Sequence, residues 1–196
     1  LYSSLPHEHP LCGKTCADGN HTEDSDILTW TGVASLADIA GDGHYYLTGD
    51  VTLSDTWTCN YNVDLCLNGH SITLKKGSVD STDAIKVAED MTFTLTDCNG
   101  SRKTYHFKEK DNGLWVLDDS GEHEVVGGII THAEDERSAG VSVLDGGKFI
   151  MYGGTIVGNT ANGNGGGVFV ESHAEFAMNG GAITGNTGSS GAGVCV

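Results

Sequence analysis

The feature that most constrains this chain is a repeat. Ser138-Ala139-Gly140-Val141-Ser142-Val143 returns 27 residues later as Gly165-Gly166-Gly167-Val168-Phe169-Val170, and 26 further on as Gly191-Ala192-Gly193-Val194-Cys195-Val196. Phe149-Ile150-Met151 returns as Phe176-Ala177-Met178, and Gly153-Gly154-Thr155-Ile156 as Gly180-Gly181-Ala182-Ile183, both at an offset of 27. Gly127-Gly128-Ile129-Ile130 stands 26 residues before Gly153. The frame reaches back through Phe93-Thr94-Leu95 and Ile85-Lys86-Val87 to Leu67-Asn68-Gly69-His70-Ser71-Ile72-Thr73, which reads like Met178 to Thr184. Residues 46–196 thus follow one rule: units of about 26–28 residues, each with three short alternating segments between Gly-rich turns.

Alternation buries one face of each segment. Three short strands cannot bury that face alone, but stacked copies can. The expectation is an all-β fold, a right-handed parallel β-helix of about five coils over 46–196, in which each strand pairs with its equivalent one coil along. Like residues then stack inside: Ile72, Ile130, Ile156 and Ile183 in one column, Val87, Val143, Val170 and Val196 in a second, Phe93, Phe149 and Phe176 in a third. Asn159 and Asn186 share a register and can form an amide ladder. A β-sandwich also has short Gly-punctuated strands, but it would not keep identities at this period.

Composition fits many tight turns: the chain has 29 Gly and only 2 Pro in 196 residues. Ten Lys plus Arg against 27 Asp plus Glu leave a formal charge of −17, which argues against nucleic acid and anionic membrane surfaces as partners. No apolar run approaches the ~20 residues of a membrane span. Six cysteines in so acidic a chain lean towards an oxidising, exported setting. The chain starts at Leu1 and stops inside a strand-like Gly-Val-Cys-Val, so a piece of a longer protein is expected.

The unit Gly-Gly-Thr-Ile-Val-Gly-Asn, then Gly-Gly-Gly-Val-Phe-Val, then Phe-Ala-Met-Asn-Gly-Gly-Ala-Ile-Thr-Gly-Asn, resembles right-handed β-helix repeats of bacterial surface proteins. Phe176–Asn179 and Gly180–Ile183 are similar to the FxxN and GGAI signatures of polymorphic outer-membrane adhesins. Tyr45 to Leu53, followed by Leu65-Cys66-Leu67-Asn68-Gly69-His70, resembles large repeat-rich wall proteins of gut Gram-positive bacteria. The resemblance covers roughly 28–196. It implies the fold, and it implies a secreted or cell-surface location. It says little about function, because this architecture hosts adhesins, lyases, glycosidases and inert stalks.

Three regions stand outside the repeat. Residues 1–30 are irregular and gather His7, His9, Cys12, Cys16 and His21, a soft ligand set suited to tetrahedral zinc. The competing reading is a Cys12–Cys16 disulfide with solvated histidines. Zinc is the cofactor expected there, with calcium left open elsewhere. Residues 31–45 read as a cap on the first coil, with a short helix at 33–40 whose Val33, Leu36 and Ile39 share one face. Residues 101–124 interrupt the repeat and read as an inserted hairpin around Asp111-Asn112-Gly113. Of the remaining cysteines, Cys66 and Cys195 alternate with buried positions and are expected to face outward. A Cys59–Cys66 pairing stays open.

Catalytic motifs are lacking. There is no Gly-x4-Gly-Lys-Ser/Thr, Gly-x-Ser-x-Gly or His-Glu-x-x-His. Carboxylates at Asp80, Asp83, Glu89, Asp90, Asp97, Glu171 and Glu175 read as turn formers. The outward column Lys86, Ser142, Phe169, Cys195 is no acid–base constellation. The binding candidates are therefore Tyr105, Phe107, Lys108 and Trp115 on the inserted hairpin, with a competing reading in which those aromatics fold down onto the sheet. The expected function is a non-enzymatic stalk or adhesin segment that displays a face to glycans or host proteins. The alternative is a carbohydrate-active β-helix, a polysaccharide lyase or glycosidase. Self-association through the C-terminal edge strand is expected as well.

Overall fold

A computed structural model of the chain describes residues 8–9, 28–75, 83–98, 103–133 and 138–196, with the side chains of 8, 9, 28 and 29 left aside. The fold is all-β, and no α-helix occurs among the described residues.

Strands β1 (Glu8–His9) and β2 (Leu28–Thr29) form a short antiparallel pair. Next come β3 (Thr31–Val33) and a single 3-10 turn at Leu36–Asp38. The repeats then follow in order. The first holds β4 (Gly43–Leu47), β5 (Val51–Leu53) and β6 (Trp57–Cys59). The second holds β7 (Val63–Cys66), β8 (Ser71–Leu74) and β9 (Ile85–Val87). The third opens with β10 (Thr92–Thr96) and is interrupted by β11 (Thr104–Glu109), β12 (Trp115–Leu117) and β13 (His123–Val126). It resumes with β14 (Ile129–His132) and β15 (Val141–Val143). The fourth holds β16 (Lys148–Met151), β17 (Thr155–Val157), β18 (Thr160–Asn164) and β19 (Val168–Val170). The fifth holds β20 (Glu175–Met178), β21 (Ala182–Thr184), β22 (Thr187–Ser190) and β23 (Val194–Cys195).

Strands one repeat apart pair in parallel. They build three main sheets, in the orders β3-β4-β7-β10-β16-β20, β5-β8-β14-β17-β21 and β6-β9-β15-β19-β23. Each of the five repeats places one strand in each sheet, always in the same cyclic order. The inward faces meet in one apolar cluster: Leu65, Phe93 and Phe149 from the first sheet, Ile72, Ile130 and Ile156 from the second, Val87, Val143 and Val170 from the third. The registers are Ile72–Ile130–Ile156–Ile183, Val87–Val143–Val170 and Phe93–Phe149–Phe176, as the repeat requires. The Phe rings stack at centroid distances of 5.5 and 5.1 Å. Val196 is the exception in the second column, being 92% exposed beyond the last strand.

The Asn ladder is present. The Asn159 side-chain amide donates to Asn186 Oδ1 at 2.9 Å, and Asn186 Nδ2 donates to Ile156 O at 2.9 Å. Asn186 Oδ1 also accepts from the Asn159 backbone N–H at 2.9 Å, and Asn159 Nδ2 donates to Ile130 O at 3.3 Å, so the ladder supplies partners to buried backbone groups at the turn.

The stretch expected as a helix is one 3-10 turn instead. The Ser35 side chain accepts from Ala37 N at 3.2 Å and Asp38 reaches back to Ser35 N at 3.0 Å. With Val33 already in β3, too few residues remain for an α-helix. Its apolar positions are placed as expected: Val33, Leu36 and Ile39 are buried in the main core.

Cys66 is fully buried, which corrects the outward expectation. Parity holds, because Cys66 lies on the side opposite Leu65 and Leu67. That side is not solvent, however: Trp30, Tyr46 and Cys98 pack over it. Cys59 is also buried, in the main core, so it does not pair with Cys66.

Candidate ligand-contact surface

The insertion is a three-stranded antiparallel sheet, ordered β12-β11-β13, with the expected turn at Asp111-Asn112-Gly113. Gly113 takes φ +82, and the Lys110 amide donates to Leu114 O at 2.8 Å. On β11, alternation points Tyr105 and Phe107 one way and His106 and Lys108 the other.

The aromatic side faces the body. Phe107 is fully buried and Tyr105 nearly so, in a second apolar cluster with Val125, Ile129 and Val157. Trp115 packs against this cluster, stacks on His123 at 3.9 Å, and donates its backbone N–H to Gly185 O at 3.1 Å. Gly185 makes room for it, since a Cβ there would sit 2.5 Å from the indole.

Polar contacts clamp the other end. Asp50 Oδ1 accepts from Ser71 N at 2.9 Å and lies 2.9 Å from the Tyr105 hydroxyl, while Lys103 pairs with Asp50 Oδ2. Burial pushes the Asp50 carboxyl up, but the bonds from Lys103, Ser71 and Tyr105 outweigh that and hold it well below the usual carboxylate range.

Tyr105, Phe107 and Trp115 therefore dock the insertion against the body, with Trp115 only half-buried. The reason is physical: a small antiparallel sheet is marginal alone and gains stability by burying its apolar face. Of the four expected contact residues, only Lys108 stays exposed. It borders an open hollow of about 620 Å³ together with Glu109, Lys110, Asn112 and Asp118.

A second surface lies on the outer face of the third sheet. Register aligns Thr58, Lys86, Ser142, Phe169 and Cys195 in one outward column. A shallow groove of about 270 Å³ lies here, lined by Lys86, Ser142 and Phe169 of the column together with Asp83, Ser138, Asn162, Asn164 and Glu171. Its carboxylates hold backbone in place. Asp83 Oδ1 accepts from Ala139 N at 3.0 Å and from the Ser138 hydroxyl, while its Oδ2 faces Lys86 Nζ at 3.5 Å. Glu171 accepts from Asp145 N at 3.3 Å. Both carboxylates are thus engaged with backbone N–H groups, beside the half-buried Phe169 ring. The column was legible from parity. The Asn flank was not, because it depends on β18 and β22 forming their own small sheet beside the third one.

His7, Cys12, Cys16 and His21 lie outside the described residues, and of His9 only the backbone is described. Among the described residues no group of three or more His, Cys, Asp or Glu gathers as metal ligands. No protein-family model, curated protein or solved structure matches the chain significantly, so the functional reading rests on the residues themselves.

Proposed function

We propose that the three parallel sheets close into a right-handed parallel β-helix, and that this solenoid is a non-enzymatic segment of an exported bacterial surface protein. It serves as a rigid stalk or adhesin and holds a glycan in the groove of its third sheet. The cyclic strand order and the shared core of all three sheets support the closed solenoid. The groove around Phe169 carries the binding reading: a half-buried aromatic ring between Lys86, Ser142 and two Asn side chains offers a sugar an apolar face and directional polar partners. The hollow at Lys108 supports contact with a host protein as a second site. The cluster of His7, His9, Cys12, Cys16 and His21 is proposed to hold zinc, which metal analysis of untagged protein tests directly.

The test is a glycan array probed with the labelled chain and with Phe169→Ala. Binding to a polyhydroxylated glycan that disappears in the variant, with circular dichroism unchanged, supports the groove. Binding that survives the substitution overturns it. Cleavage of any polysaccharide on the array, with or without calcium, would overturn the non-enzymatic reading.

A further inference from the structure

Cys66 and Cys98 come from neighbouring repeats, 32 positions apart, and their sulfurs lie 3.1 Å from each other. Cys66 pairs in register with Thr96, the last residue of β10, and Cys98 follows two residues past that pair, where the strand has ended. The Cys98 backbone N–H points at Cys66 Sγ from 3.3 Å, and Cys98 Sγ sits 3.6 Å from Asn68 Oδ1. Both residues are buried beneath Trp30, with Tyr46 packed against them. The other described cysteines do not compete. Cys59 lies in the main core with its thiol directed at Tyr61 O at 3.2 Å, and Cys195 belongs to the fifth repeat.

We propose that Cys66 and Cys98 form a disulfide that staples the second repeat to the third. The oxidant is a disulfide of the RSSR class, such as oxidised glutathione or a thiol oxidoreductase. One cysteine thiolate attacks RSSR, an S–S bond breaks, RS⁻ leaves and a mixed disulfide remains. The second thiolate attacks the mixed disulfide, forms the Cys66–Cys98 bond and releases the second RS⁻. The two cysteine sulfurs lose two electrons in all, RSSR gains them, and the two thiol protons end on two RSH. The sulfurs need to approach by only about 1 Å to reach bonding distance. Because the pair is buried, exchange takes place before Trp30 covers it, and the finished bond is shielded from reductants.

The staple closes a long loop across two repeats, which by the chain-entropy account shifts the folding equilibrium about 500-fold. For a chain of this length that corresponds to a rise in thermal midpoint on the order of 10 °C. The test incubates the full chain, and a Cys12→Ser/Cys16→Ser variant, in a redox buffer of oxidised and reduced glutathione during refolding. Denatured protein is alkylated, digested without reduction and mapped by mass spectrometry. The expected result is a linked peptide pair containing Cys66 and Cys98 that disappears on reduction, with a higher midpoint for the oxidised form. The rise should vanish in Cys66→Ala. Should that variant fail to fold, the peptide map of the unsubstituted chain decides alone. Recovery of Cys66 and Cys98 as alkylated free thiols after oxidation, or linkage of either to another cysteine, overturns the proposal.

Discussion

Truncating Phe149 to alanine tests the stacked core where it is most ordered. Phe149 is fully buried, with Phe93 stacked at 5.5 Å on one side and Phe176 at 5.1 Å on the other. Removing a buried Phe side chain costs about 3–5 kcal/mol through lost transfer energy and the cavity left behind. Two aromatic contacts go with it, each worth about 0.5–1.5 kcal/mol beyond area. The cavity cannot collapse easily, because the neighbouring rings are held by strands in fixed register. Phe149→Ala should therefore fall at the upper end, about 5 kcal/mol. Phe176 ends the same column, is only partly buried and stacks on one ring, so Phe176→Ala should cost about 2 kcal/mol. Urea unfolding followed by circular dichroism measures both. The contrast is the decisive quantity, since a common error in the denatured state cancels in it. Equal losses for the two variants, or a Phe149→Ala loss under about 1 kcal/mol, would refute the reasoning from a continuous buried column.

The remaining predictions concern charge and docking. Burial holds the His132 imidazole down at about 4, against the opposing charge of Asp83, so the folded state keeps it neutral. As pH falls from about 6.5 the unfolded chain takes up this proton first, and stability drops by about 3 kcal/mol on reaching pH 4. His132→Leu should flatten that part of the stability–pH curve. Gly185→Val places a Cβ 2.5 Å from the Trp115 ring at φ +60, so it should displace the inserted sheet, cost about 2 kcal/mol or more, and change tryptophan fluorescence. Asp50→Asn weakens the tie to Lys103 and Tyr105; because the carboxylate is partly exposed the cost should be only about 1 kcal/mol, seen as faster hydrogen exchange over 103–126 with the main sheets unchanged. Asn159→Ala should cost about 2–3 kcal/mol by breaking the ladder at both Asn186 and Ile130 O, measured as a lower urea midpoint.

The parallel registers, the Ile and Phe columns and the Asn159–Asn186 ladder could be read from residues alone. A repeat with a two-residue side-chain period leaves one stacking register that keeps every apolar position inside, so Phe93, Phe149 and Phe176 had no other place to go. The hairpin turn was legible for a similar local reason, since Asn112-Gly113 supplies the positive φ such a turn needs. What parity cannot say is whether an outward position meets water. Cys66 points away from the core, yet Trp30 arrives from a non-repeating segment and covers it beside Cys98. Tyr105 and Phe107 sit on a strand whose alternation alone leaves it free to project, yet they pack down on Ile129 and Val157 and bury them. Alternation determines the side of the sheet a residue takes. Which segment then lies over that side depends on contacts between residues far apart in the chain, and only the tertiary structure decides it.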